Sequence, residues 1–112
     1  MTRLPFSPSR EVDGWVFLAG QGGFDESGAL GETVEEQTEQ ALHNVARLLG
    51  EHGCSLSDVV SCLVHLTDLA SFERYNEVYA RHFPEPRPTR TTVGAQLVAG
   101  MLVEITVVAR RP

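Results

Sequence analysis

The chain has 112 residues, 42% hydrophobic and 21% charged, the balance of ordinary globular material rather than of a disordered or fibrous chain. That length supports one hydrophobic core but not two, so a single domain over residues 1–112 is expected. Fifteen acidic residues against nine Arg, with no Lys, leave a formal net charge of −6, which repels nucleic acid and anionic membrane, and no apolar run nears the roughly 20 residues that span a bilayer.

The N-terminal end, Met1-Thr2-Arg3-Leu4-Pro5-Phe6, has no apolar stretch of the kind a signal peptide needs. An extended segment at residues 8–12 then meets Asp13-Gly14, and Asp-Gly flanked by Val12 and Trp15-Val16-Phe17-Leu18 is a strong hairpin signal. The second strand runs into Ala19-Gly20-Gln21-Gly22-Gly23, where glycines permit a positive φ or a close approach to the backbone; a plain loop or bulge is the simpler reading. The spacing is not that of a dinucleotide-binding loop.

Thr33 with Glu36 forms a capping-box pattern. Val34, Thr38, Ala41, Leu42, Val45, Leu48 and Leu49 follow at helical spacing, and Gly50 or Gly53 ends the helix. Residues 58–66 alternate and are β-branched, which predicts a strand. A shorter helix starts near Ser71, carries Phe72, Tyr75, Val78, Tyr79 and His82 on one stripe, and stops before Pro84. Pro84, Pro86 and Pro88 lead into a Thr- and Val-rich strand over residues 91–98. Val98-Ala99-Gly100 gives a turn signal, and residues 101–109 form a last, almost wholly apolar strand.

The order β-β-α-β-α-β-β predicts an α+β fold, a mixed sheet with two helices on one face. In the last strand Met101, Val103, Ile105 and Val107 point one way, while Leu102, Glu104, Thr106 and Val108 point the other. Both faces are therefore largely apolar, two helices cover only one, and a homo-oligomer is expected to cover the other.

The last two strands contain one guanidinium and one carboxylate in otherwise uncharged runs, Arg90 and Glu104. If these strands pair as an antiparallel hairpin, Arg90 lies near Glu104, either as a structural ion pair or as a site. Arg is the side chain best shaped to grip a carboxylate by two parallel hydrogen bonds. His43, His52, His65 and His82 show no metal-ligand spacing and read as surface or boundary residues. Cys62 alternates with Val60 and Val64 and reads as core, and Cys54 and Cys62 as reduced thiols of a cytoplasmic protein. Trp15, Phe17 and Phe24 read as core rather than as a base-stacking platform.

Pro5-Phe6-Ser7-Pro8, Val16-Phe17-Leu18-Ala19-Gly20-Gln21, Glu36-Gln37-Thr38-Glu39-Gln40-Ala41-Leu42-His43-Asn44-Val45, Val64-His65-Leu66-Thr67-Asp68, Tyr75-Asn76-Glu77-Val78-Tyr79, Arg87-Pro88-Thr89-Arg90-Thr91-Thr92-Val93 and Leu102-Val103-Glu104-Ile105, in that order, resemble the Rid (reactive intermediate deaminase) family, also called YjgF-like or L-PSP-like proteins. The resemblance implies a chorismate-mutase-like fold, a homotrimer with a ligand cleft at each subunit interface, and no cofactor or metal. The implied activity is hydrolysis of the enamine and imine intermediates that pyridoxal-phosphate enzymes release. By position, Arg90 matches the arginine that grips the substrate carboxylate and Glu104 the acid that positions the attacking water. Thr92 stands where many members have Cys, with Thr91 beside it; Gly20 falls in the backbone segment lining the pocket, and Phe72 matches an aromatic that closes it from a neighbouring subunit. Phe6 replaces the Tyr usual in deaminase-competent members and Ala19 replaces a common Ser, so two hydrogen bonds are missing. Two alternatives stay open: a non-catalytic or pathway-specific binder of small carboxylates on the same scaffold, and an endoribonuclease or chaperone-like protein.

Overall fold

Helix α1 (Val34–Gly50) starts where its capping box requires, with Thr33 Oγ1 accepting from the Glu36 N–H and Glu36 Oε1 accepting from the Thr33 N–H, each at 3.1 Å. The computed structural model describes residues 4–112; Met1, Thr2 and Arg3, on which the reading of the N-terminal end partly rests, lie outside the described residues. The stripe read from the sequence is the buried one, Val34, Thr38, Ala41, Leu42, Val45, Leu48 and Leu49. Gln37 is buried with it and is satisfied at both ends. Its Nε2 donates to Gly31 O at 2.7 Å and its Oε1 accepts from the Leu102 N–H at 2.8 Å, which ties the helix to the entry of the last strand.

Strands β1 (Ser9–Val12) and β2 (Trp15–Leu18) form the hairpin, with Asp13 at φ 51° and Gly14 at φ 84° as a primed turn demands. Next come β3 (Val59–Leu66), α2 (Phe72–His82), β4 (Thr89–Gly94) and β5 (Val103–Arg110). The sheet order is β1-β2-β5-β3-β4. Because α2 carries the chain across between β3 and β4, those two run parallel, and the remaining pairs are antiparallel. The fold is thus the expected α+β arrangement, with both helices on one face of a mixed sheet.

The expected hairpin between the last two strands does not form. β4 pairs only with β3 and stands at the sheet edge, while β5 crosses over β3 to the centre, between β2 and β3. The cause is hydrophobic: β5 buries Val103, Ile105, Val107 and Ala109 on its helix-facing side, and a central position sets all four over the core with a strand on either flank. The turn signal at Val98-Ala99-Gly100 is a 3-10 turn with Ala99 at φ 58° and Gly100 at φ 77°, and it redirects the connection rather than closing a hairpin. Arg90 therefore faces Cys62 of β3, and Glu104 faces His65 of β3. They are not an ion pair within the chain.

The core lies between the helices and one sheet face, where Val16, Val64, Leu66 and Ile105 meet Leu42, Leu49 and Tyr75. The other face carries Trp15, Phe17 and Leu63, 37%, 46% and 39% exposed, around Thr106 and Val108. No element of the described chain covers it. Cys54 and Cys62 are buried free thiols, and burial pushes both up from the usual thiol range, so Cys62 is a core residue as expected.

Candidate functional site

The residues singled out from the sequence fall into two groups on opposite faces of the sheet. The first is built by α2 over β4. Spacings of three and four along α2 bring Phe72, Tyr75, Asn76 and Tyr79 onto one stripe. Beneath it lies the Arg90 side chain, on the inward face of β4. Its guanidinium carbon is 4.7 Å from the Tyr79 ring centroid, 5.1 Å from Tyr75 and 5.5 Å from Phe72. One Nη1–H donates to Asn76 Oδ1 at 2.6 Å. Each ring face contributes about 0.5–1 kcal/mol, more where water is excluded, so the cation is held in place without being neutralised. Among the described residues no carboxylate comes within ion-pairing distance of it. Thr92 stands next to it on the same face, its hydroxyl 3.1 Å from the Tyr75 hydroxyl. Burial raises both the Tyr75 and Tyr79 phenols, so they stay neutral and do not compete with an anion for the guanidinium. A cleft of about 370 Å³ opens here between Asn76, Tyr79 and Arg90 on one side and Arg87 and Pro88 on the other.

The second group surrounds Glu104 at the far side of β3. The glycine run does not take positive φ; its glycines are set by close approach. A Cβ on Gly20 would sit 2.6 Å from Glu104 Cδ, and one on Gly23 would sit 2.5 Å from the Gln37 Cα. The run is anchored from α1 by Asn44, whose Nδ2 donates to Gly22 O at 3.0 Å and Phe24 O at 2.9 Å. Antiparallel bonds between Gln21 and Ile105, 2.8 and 2.9 Å, clip it to β5. Glu104 thus lies flat against Gly20, at the wall of a cleft of about 580 Å³ that Phe6, Leu4 and Met101 line with apolar surface. Phe6 is 57% exposed in this single chain.

Arg90, Thr92 and Phe72 are therefore together, as are Glu104, Gly20 and Phe6, but the two sets do not meet within one chain. Thr91 belongs to neither, since it points away from the helices on the edge strand. Sequence reasoning missed Asn76 and His65. The signal for Asn76 was a lone amide set among aromatic residues of one helical stripe. For His65 it was an imidazole alternating with Val64 and Leu66 and opposite the one acid of β5. Among the described residues no cluster of three or more His, Cys, Asp or Glu is placed to hold a metal ion.

A family profile described as Endoribonuclease L-PSP matches residues 1–111. Reactive Intermediate Deaminase A, chloroplastic, of Arabidopsis thaliana is 42% identical over 90 residues, 79% of this chain and 48% of that protein, so the chain spans about half the length of this relative. The crystal structure of RidA from an Antarctic Psychrobacter superposes with a TM-score of 0.93 at 36% identity, covering 98% of this chain and 91% of the other. That of Escherichia coli TdcF with bound serine gives a TM-score of 0.92 at 28% identity, covering 99% and 91%.

Proposed function

The chain belongs to the Rid family of YjgF-like, L-PSP-like proteins, and from that premise we propose that it is an imine deaminase, hydrolysing small 2-imino acids to 2-keto acids and ammonia. The observation that carries this reading is the uncompensated Arg90 guanidinium, held under three aromatic rings by Asn76 with no carboxylate partner among the described residues. A cation so prepared fits a carboxylate-bearing ligand. The RidA and TdcF likenesses agree with this, the latter having been solved with bound serine, an amino acid with such a carboxylate.

The second element of the proposal is assembly. Arg90 and Glu104 sit on opposite faces of one sheet, so neither cleft is a complete site by itself. A homotrimer that packs the open faces together would cover Trp15, Phe17 and Leu63, and because β4 is an edge strand, in the proposed trimer the Arg90 cleft of one subunit meets the Glu104 cleft of the next across that edge. A monomer mass in light scattering at micromolar concentration would refute it. In the assembled site, Arg90 holds the carboxylate and turns the C=N toward a water against Glu104. The water oxygen bonds to C2 as the C=N electron pair passes to nitrogen, and Glu104 takes a water proton and hands it to that nitrogen, giving the tetrahedral carbinolamine. Glu104 then relays the hydroxyl proton to the same nitrogen, and ammonia leaves as the C–N bond breaks and C=O forms. The net change is addition of water and loss of ammonia, with no cofactor in the balance.

A second reading is favoured by Phe6 alone. It lines the Glu104 cleft with a ring that has no hydroxyl, so the same site could hold small keto acids without hydrolysing imines. A coupled assay that generates 2-aminoacrylate beside purified protein separates the two: faster ammonia release supports the deaminase, and pyruvate binding without it supports the binder. The buried free thiols suit a reducing compartment, the cytoplasm in this reading, while the Arabidopsis relative is named as chloroplastic.

A further inference from the structure

Three of the four histidines have settled partners. His52 bonds Ser9 Oγ at 2.8 Å and faces Glu11 Oε1 at 3.3 Å, and His43 and His82 reach Glu39 at 3.0 and 2.9 Å. His65 differs. It stands on the open face of β3 directly opposite Glu104, with Val93 of β4 on its other side. Its Nδ1 is buried and has no hydrogen-bond partner among the described residues. Glu104 Oε1 lies 3.9 Å from that nitrogen, beyond hydrogen-bond length but within reach of a small side-chain rotation. A buried nitrogen left unpaired is costly, and Val93 offers it no side-chain acceptor. Glu104 is confined on its far side, since its side chain already lies against Gly20. The carboxylate is therefore bracketed by a glycine backbone and an imidazole.

We propose that His65 is the positioning residue of Glu104: its Nδ1–H donates to one carboxylate oxygen and thereby fixes the other toward the cleft, where the attacking water lies. This rests on the deaminase reading for its catalytic meaning. A carboxylate with one oxygen occupied by a donor presents a single basic oxygen in one direction, and orientation of that kind acts on the bond-making step more than on ligand binding. His65 touches neither the ligand nor the reacting atoms; it acts through Glu104.

The test separates the position of the donor from the presence of a ring. His65→Phe keeps the ring and removes the donor, whereas His65→Asn places an amide nitrogen where Nδ1 was. In imine hydrolysis, His65→Phe is expected to lower kcat about tenfold with KM and the Kd for pyruvate unchanged, and His65→Asn to recover most of the loss. Equal kcat in His65→Phe and wild type, or no recovery in His65→Asn, overturns the proposal. Nitrogen NMR of the imidazole gives a readout free of activity: a protonated Nδ1 whose shift moves in Glu104→Gln supports the pairing, and an Nε2-protonated ring indifferent to Glu104→Gln overturns it. If the wild type hydrolyses no imine, the deaminase reading fails by itself, and the NMR result alone decides the pairing.

Discussion

Arg90→Lys separates charge from shape at the carboxylate clamp. In the folded chain Nη1 of Arg90 is engaged with Asn76 at 2.6 Å, and neither Nε nor Nη2 makes a hydrogen bond among the described residues. That Nε–Nη2 edge is the fork a carboxylate meets with two parallel bonds. Hydrogen bonds to a charged group contribute about 1.5–3 kcal/mol each. An ammonium in the same place keeps the charge and the aromatic roof but makes only one of the two, so the Kd for pyruvate should rise about 10- to 150-fold in Arg90→Lys. Arg90→Ala loses both bonds and should weaken binding by about 3 kcal/mol or more, beyond about 150-fold. Isothermal titration with pyruvate and 2-ketobutyrate measures each step, and thermal melting of the same samples checks that the three-ring stack has not collapsed. If Arg90→Lys binds within about twofold of wild type, charge alone suffices and the fork geometry is irrelevant.

Three other perturbations follow from the same contacts. Phe6→Tyr should raise kcat/KM for imine hydrolysis about tenfold, equivalent to about 1.4 kcal/mol, because it restores a donor at the Glu104 cleft; unchanged or lost activity would place Phe6 away from the ligand. Gly20→Ala should cut kcat more than it weakens pyruvate affinity, since a Cβ 2.6 Å from Glu104 Cδ must push that side chain aside while the ligand carboxylate is still held by Arg90. Equal kcat would mean that Glu104 relaxes without consequence. Glu39 is held below the usual carboxylate range, chiefly by its hydrogen bond with His82. A lowered folded-state pKa contributes stability that is present above the unfolded value and lost as pH falls through the folded one. Melting temperature should therefore drop less between about pH 6 and about pH 3 in Glu39→Gln than in wild type, and identical slopes would refute the linkage.

Local chemistry made the elements readable, and long-range competition made the pairing unreadable. The Thr33–Glu36 capping box, the Asp13-Gly14 turn and the stripe of α1 are each decided by residues within a few positions of one another, and all three stand as expected. The partner of β5 is decided by the whole core. A turn signal at Val98-Ala99-Gly100 argued for the neighbouring strand, but the need to set Val103, Ile105, Val107 and Ala109 over the core beneath the helices outweighed it and moved the strand to the centre. The same contest explains the glycine run. Sequence allowed either positive φ or close approach, and only the position of Glu104 and of α1 against the run selects the second. Asn76 escaped notice because its role depends on a guanidinium from a strand fourteen residues later, a contact that no helical period encodes.

The misplaced hairpin bears on function. Had β4 and β5 paired, Arg90 and Glu104 would have met inside one chain, and the plainer outcome for such a pair is mutual neutralisation. Setting β3 between them keeps a cation unpaired on one face and a carboxylate unpaired by any Arg on the other. Arg90 is held by aromatic rings and an amide, while Glu104 lies against the Gly20 backbone with the His65 imidazole opposite it. On the proposed assembly the two charges come together only around a ligand that has its own carboxylate. That anion satisfies Arg90 and leaves Glu104 free to act on water. An isolated subunit should accordingly bind keto acids weakly and hydrolyse nothing, so a charge placed on the open face at Leu63, as in Leu63→Glu, should abolish activity in proportion to the monomer it produces. Retained activity in a monomer of that variant would show the site to be complete within one chain and would remove the reason for the division.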